Sequence, residues 1–167
     1  IDDTMDNTNN FHNPFGGEQV TANGDGTVTI LRTQSGVDAG IDWMPGGAPI
    51  PVSGNENLTV SPVAPVNGGY WVPTIFLVDS NGNHEESWLG DTQATQPQEV
   101  NIPTFAATFG IVPTSYWLRL RMDPNLSTNV GFTFTQIDTS SPVQLPEPAS
   151  LGMLGLGAVA FVRRRRA

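Results

Sequence analysis

From Glu18 to Asp138 the chain breaks into short apolar-rich runs separated by clusters of Gly, Pro, Asn and Asp, and no run there keeps a helical period. Such segments are too short to stand alone as helices and must pair with one another, which restricts the chain to an all-β sandwich or barrel. Abundant Gly (18 residues) and Pro (14) supply the turns, and a 38% hydrophobic share can still fill one core. At 167 residues the chain holds one domain plus tails. The β-sandwich domain is expected at 18–138, behind an irregular lead-in at 1–17 with room for one edge strand.

Five strands can be placed by their alternation. Thr27 to Arg32 follows the turn Asn23-Gly24-Asp25-Gly26 and turns Val28 and Ile30 inward. Leu58 and Val60 do the same in Asn57 to Val63. Trp71 to Val78 is the most continuously apolar run, with Pro73 predicting a bulge or edge near its start. In Ser115 to Met122, residues Tyr116, Leu118, Leu120 and Met122 point one way and Trp117, Arg119 and Arg121 the other. In Val130 to Ile137, Val130, Phe132 and Phe134 oppose Thr133 and Thr135. A sixth, short strand is expected at Glu99 to Ile102, where Val100 and Ile102 alternate before Pro103 interrupts. Trp43 and Trp88 are assigned to the core.

The charge is segregated. The net charge is −9, Lys and Cys are absent, and all seven basic residues are Arg; only Arg32, Arg119 and Arg121 lie in the body. Three dispersed Arg in an acidic body cannot build the footprint that nucleic acid needs. The lack of Cys excludes disulfides, thiolate metal sites and Cys nucleophiles.

The C-terminal end is organised differently. A linker at 139–148 carries Pro142, Pro146 and Pro148. It leads into Ala149 to Val162, fourteen residues without a charge, and then into Arg163, Arg164, Arg165 and Arg166. As a helix this segment would be about 21 Å long, short for a hydrocarbon core of roughly 30 Å, with the Arg side chains snorkelling to extend it. The expectation is a short transmembrane helix with its Arg cluster in the cytoplasm and the acidic body outside. The order Pro146-Glu147-Pro148, apolar helix, Arg cluster resembles the PEP-CTERM protein-sorting signal of Gram-negative bacteria. That resemblance implies recognition by exosortase, a transient inner-membrane anchor, and then a place at the cell surface or in extracellular matrix. It also implies an N-terminal secretion leader, in keeping with a first residue, Ile1, that is not Met.

The chemical inventory of the body is thin. His12 and His84 have no second His or Cys at ligand spacing, His84-Glu85-Glu86 is read as a solvated loop, and no Gly-x-Ser-x-Gly or phosphate loop occurs. Glu85, Glu86, Asp91 and Glu99 carry no spacing that marks a glycosidase pair. No catalytic residue is nominated and the protein is read as a non-enzyme. Asp79, Asn81 and Asn83 form an oxygen-rich turn that is the candidate site for a structural calcium ion, the one cofactor considered, against the plainer reading of a hairpin turn. Trp117, Arg119 and Arg121, on one face of one strand, are the candidate glycan-binding residues, because a flat ring beside planar donors can stack and orient a sugar. The competing explanation is that a second sheet or a loop covers this face too, with the Arg residues paired to the many carboxylates.

Phe76-Leu77-Val78-Asp79-Ser80-Asn81-Gly82, Trp88, Gln98 to Phe105 and the closing strand Phe132 to Asp138 together resemble jelly-roll carbohydrate-binding modules of the galactose-binding-like type. The resemblance implies a jelly-roll sandwich, and a calcium between first and last strands would fall to Asp2 or Asp3 with Asp138. The function expected is a structural or adhesive surface protein in an exopolysaccharide or biofilm context. A dedicated carbohydrate-binding module is the alternative and a polysaccharide hydrolase the third reading.

Overall fold

The computed structural model describes residues 2–3, 5–52, 54–122 and 126–140. Pro146, Glu147, Pro148, the apolar segment and Arg163 to Arg166 lie outside the described residues. In chain order the strands are β1 (Asp2–Asp3), β2 (Phe11–Phe15), β3 (Glu18–Ala22), β4 (Val28–Arg32), β5 (Ala39–Trp43), β6 (Ile50–Pro51), β7 (Asn57–Val66), β8 (Val72–Asp79), β9 (Gly82–Ser87) and β10 (Gln98–Asn101). Helix α1 (Ile102–Ala107), β11 (Ser115–Met122) and β12 (Val130–Ser140) follow.

Two antiparallel six-stranded sheets face each other. The first runs β10-β7-β12-β4-β3 with β1 also on β12, and the second β2-β5-β11-β8-β9 with β6 also on β11. Most connections cross from one sheet to the other, so few consecutive strands are neighbours; β3–β4 and β8–β9 are hairpin pairs within a sheet. The all-β sandwich expected from the sequence is what forms.

Alternation explains the core. Val28, Ile30, Leu58, Val60, Phe132 and Phe134 from the first sheet meet Ile41, Trp43, Ile75, Leu77, Tyr116, Leu118 and Leu120 from the second, all essentially buried. Trp71 stands against Phe134 edge-on at 5.3 Å and against Phe132 at 6.1 Å, a geometry that suits aromatic quadrupoles. Burial of each such side chain contributes about 1.5–3 kcal/mol. Phe134 and Ile137 are both fully buried although an odd number of positions separates them, because the β12–β7 pairing shifts register between Phe134 and Gln136; a bulge restores the inward phase.

Several elements differ from expectation. Ile102 and its successors form a helix rather than a strand end: Asn101 caps it, its side chain accepting from Thr104 N–H at 3.0 Å, and Pro103 occupies the first turn. His84 to Glu86 lie in the edge strand β9 instead of a loop. β5, unassigned in the sequence, is buried along its whole length. Pro73 sits at the end of the β8–β9 ladder, its carbonyl accepting from Trp88 N–H at 3.0 Å, so the missing N–H forgoes only the last bond on that side.

The two ends of the sandwich are unlike. At one, Arg32 is fully buried and donates to the carbonyls of Gln34, Val37 and Met122. Glu18 is its register partner on β3, and burial pushes the Glu18 carboxyl up to about 8 against the pull of Arg32. At the other, α1 and the loop after it close the core with Ile102, Ala106 and Ile111. Among the described residues no helix is long and apolar enough to cross a membrane.

Candidate functional site

The outer face of the second sheet gathers the nominated residues. Alternation in β11 sends Trp117, Arg119 and Arg121 away from the core, as expected, and the register sets their neighbours. Trp117 is opposite Phe76 and then Glu85; Arg119 lies between Asp42 and Thr74; Arg121 lies between Gly40 and Val72.

Trp117 and Phe76 stack with centroids 4.5 Å apart and planes 8° from parallel. The Arg119 guanidinium lies over the Phe76 ring at 4.3 Å and over the Phe15 ring at 5.0 Å. Trp117, Phe76, Arg119 and Phe15 therefore form a continuous series of flat groups across four strands, held by π-stacking and cation–π attraction. Gly40 makes room for it, since a Cβ there would meet the Phe15 ring at 2.7 Å. Met44 and Val78 pack beside Trp117 and Phe76, leaving Trp117 only 9% exposed.

Carboxylates orient both Arg residues. Asp42, 2% exposed, accepts from Arg119 Nε at 2.6 Å and Nη2 at 3.0 Å. Arg121 donates to Asp38 at 2.6 Å and to Glu85 at 3.1 Å, and its side chain is 34% exposed. Planar donors thus stand at the surface beside a rigid aromatic series. The polar atoms Trp117 Nε1, Thr74 Oγ1 and His12 Nε2 are buried on this sheet without a hydrogen-bond partner among the described residues.

Sequence reasoning found three members of this face and missed Phe76, Phe15, Asp42, Asp38 and Glu85. Phe76 lies in a run too uniformly apolar to reveal a face. Asp42 did leave a signal, a lone carboxylate between Ile41 and Trp43 in an otherwise uncharged run.

The oxygen-rich turn is arranged otherwise. Asp79 Oδ1 accepts from Asn81 N–H at 2.7 Å and Gly82 N–H at 3.1 Å, and Asn81 turns its amide nitrogen, not its oxygen, toward Asp79 Oδ2 at 3.2 Å. The Asn81 N–H first, and then His84 with Nε2 3.1 Å from Oδ1, hold the Asp79 carboxyl below its usual range. Asn83 stands apart in β9, opposite Val78. Asp25 likewise serves its own turn by accepting from Thr27. First and last strands do pair, Asp2 opposite Asp138, and Asp138 accepts from Gln136 at 3.1 Å. Among the described residues no three His, Asp or Glu side chains converge.

Comparison with known proteins adds two findings. Residues 144–166 match the PEP-CTERM protein-sorting motif, so the chain carries that signal, which implies exosortase processing and marks export with membrane-anchored transit before sorting. The body has the fold of the CBM22-1 xylan-binding domain of Paenibacillus barcinonensis Xyn10C, at 9% identity and TM-score 0.52, covering 83% of this chain and 91% of that one. The C-terminal family 22 carbohydrate-binding module of Clostridium thermocellum Xyn10B is similar at 11% identity and TM-score 0.44, covering 87% and 96%. These structural neighbours are carbohydrate-binding modules. No curated protein sequence matches the chain.

Proposed function

We propose that this is an exported, non-catalytic protein that meets polysaccharide outside the inner membrane through the outer face of its second sheet, as an adhesive component of surface or extracellular matrix. The observation that carries the reading is the series Trp117, Phe76, Arg119 and Phe15 beside the surface guanidinium of Arg121. Apolar ring edges beside fixed planar donors on a rigid sheet can give a sugar chain van der Waals contact and oriented hydrogen bonds, and the groups are positioned before any ligand arrives. Release by exosortase at Pro146-Glu147-Pro148 would free the body from a transient inner-membrane anchor, with Arg163 to Arg166 left in the cytoplasm. The jelly-roll connectivity and the xylan bound by the first of the structural neighbours support the same reading.

The second reading is a matrix component with no sugar ligand. It is favoured by the 9% exposure of Trp117 and by the ion pairing of both Arg residues. Affinity electrophoresis separates the two. The full chain, in a polyoxyethylene detergent that contributes no sugar, is run through gels containing xylan, other polysaccharides and the source organism's own matrix polymer. Retardation by one polymer is expected; uniform mobility across the panel would establish the second reading. For the sorting step, cells lacking exosortase are expected to hold a heavier species that retains Arg163 to Arg166, and equal intact masses with and without the enzyme would refute processing.

A further inference from the structure

The lid at the end of the sandwich has two sides. Ile102, Ala106 and Ile111 face the core, whereas Phe109 is 46% exposed and Val112 82% exposed, on either side of buried Ile111. Phe105 supports Phe109 edge-on at 5.2 Å. No charged residue occurs between Glu99 and Arg119, so nothing charged on this loop has to leave water when the loop is covered. The nearest carboxylates lie outside the loop: Glu56 beside it is only 5% exposed, Glu99 accepts from Asn57 Nδ2, and Asp79 accepts from Asn81 and Gly82.

The lid also stands where the chain departs for its sorting tail. Ile102 N–H donates to Glu56 O at 2.8 Å, and the next residue, Asn57, is in register with both Asn101 and Ser140. Residues 141–148 separate Ser140 from the uncharged segment beginning at Ala149, and so short a chain spans at most about 28 Å. While that segment is in the bilayer, the lid end, where β12 finishes, is the end of the sandwich that this tether holds within reach of the lipid.

We infer that Phe109 and Val112 form a membrane-contact site that enters the boundary between phospholipid headgroups and acyl chains during anchored transit. The partner is the lipid surface itself, and the inference rests on the reading of the tail as a transient anchor. An uncharged loop tipped with Phe and Val can sit at that boundary without desolvating charge. Contact there would hold the body upright above the cleavage motif until release.

The absence of Cys makes the test direct. Val112→Cys in the full chain carries a single environment-sensitive fluorophore. Val37→Cys, at the far end of the sandwich and itself 42% exposed, is the matched control. Both are placed in phosphatidylethanolamine–phosphatidylglycerol vesicles containing lipids brominated near the headgroup. Quenching at least threefold stronger at 112 than at 37 is expected, and Phe109→Ser is expected to reduce it without changing the circular dichroism spectrum. If the protein floats with the vesicles but both probes are quenched equally, the contact site is overturned and the anchor stands. Quenching at 112 only when exosortase is co-reconstituted would overturn lipid as the partner in favour of the enzyme. If the protein fails to float, anchor and contact site fall together.

Discussion

Asp42 and Arg119 face each other across the β5–β11 register and share two hydrogen bonds, Nε to Oδ1 at 2.6 Å and Nη2 to Oδ2 at 3.0 Å. The carboxylate is almost wholly buried and the guanidinium side chain is 21% exposed. Removing one partner from such a pair strands the other, at a cost approaching the 3–5 kcal/mol of a fully buried pair. Asp42→Asn is therefore expected to lose about 2–3 kcal/mol in urea unfolding. Asp42→Leu combined with Arg119→Met is expected to recover most of that loss, because Arg119 lies against the rings of Phe15 and Phe76 and the exposed Asn13, which donates to Asp42 at 3.3 Å, can turn to water instead. A double variant no more stable than Asp42→Asn would show that the pair contributes net stability of its own.

Gly131 answers a different constraint. A Cβ there would lie 1.9 Å from the Ile30 carbonyl oxygen, and a Cβ on Gly69 would lie 2.4 Å from the Gly131 oxygen. Both obstacles are backbone, which cannot rotate aside. Gly131→Ala is expected to abolish soluble folded protein, while Gly90→Ala, with open space around it, is expected to change stability by less than about 0.5 kcal/mol. A soluble, cooperative Gly131→Ala would refute the close approach.

How much of this was legible in the sequence depended on whether a segment had two unlike faces. β11 matches its expected bounds, Ser115–Met122, because core residues alternate there with Trp and Arg. β5 is covered on both sides, so five buried residues show no period. α1 is six residues long, less than two turns, and its signal lay in the cap Asn101 and in Pro103 rather than in periodicity. The site divides in the same way. Trp117, Arg119 and Arg121 share a face by local alternation, but Asp42 and Phe15 reach that face through non-local register, which no short window contains.

Glu18 gives the protein an unusual pH dependence. Its folded value of about 8 lies above the ordinary 4.5, mainly through burial. The folded state then holds a proton that the unfolded chain releases, and this group's contribution is complete below about pH 4.5 and lost as pH rises to about 8. The slope is at most about 1.4 kcal/mol per pH unit. Asp79 acts in the opposite sense but only where its carboxylate titrates, below the window of Glu18. Thermal melts are expected to show the midpoint falling between pH 5 and pH 8 in the wild type and staying nearly level in Glu18→Gln. Parallel curves for the two proteins would mean that Glu18 ionises normally in the folded state.

Arg121 separates ligand recognition from folding. Its pairs with Asp38 and Glu85 lie among side chains 34%, 44% and 42% exposed, and pairs as open as these contribute roughly 0–1 kcal/mol. Arg121→Gln should leave the unfolding midpoint within about 0.5 kcal/mol of wild type while removing a planar cation from the edge of the face. Phe76→Ala, by contrast, opens the stack between Trp117 and Arg119 and should cost about 3 kcal/mol, so any lost binding there would be confounded with lost structure. If the face binds polysaccharide, Arg121→Gln weakens retardation in the affinity gel severalfold at unchanged stability. An unchanged retardation in a wild type that does bind would move recognition off this face, because Arg121 carries its most exposed donor.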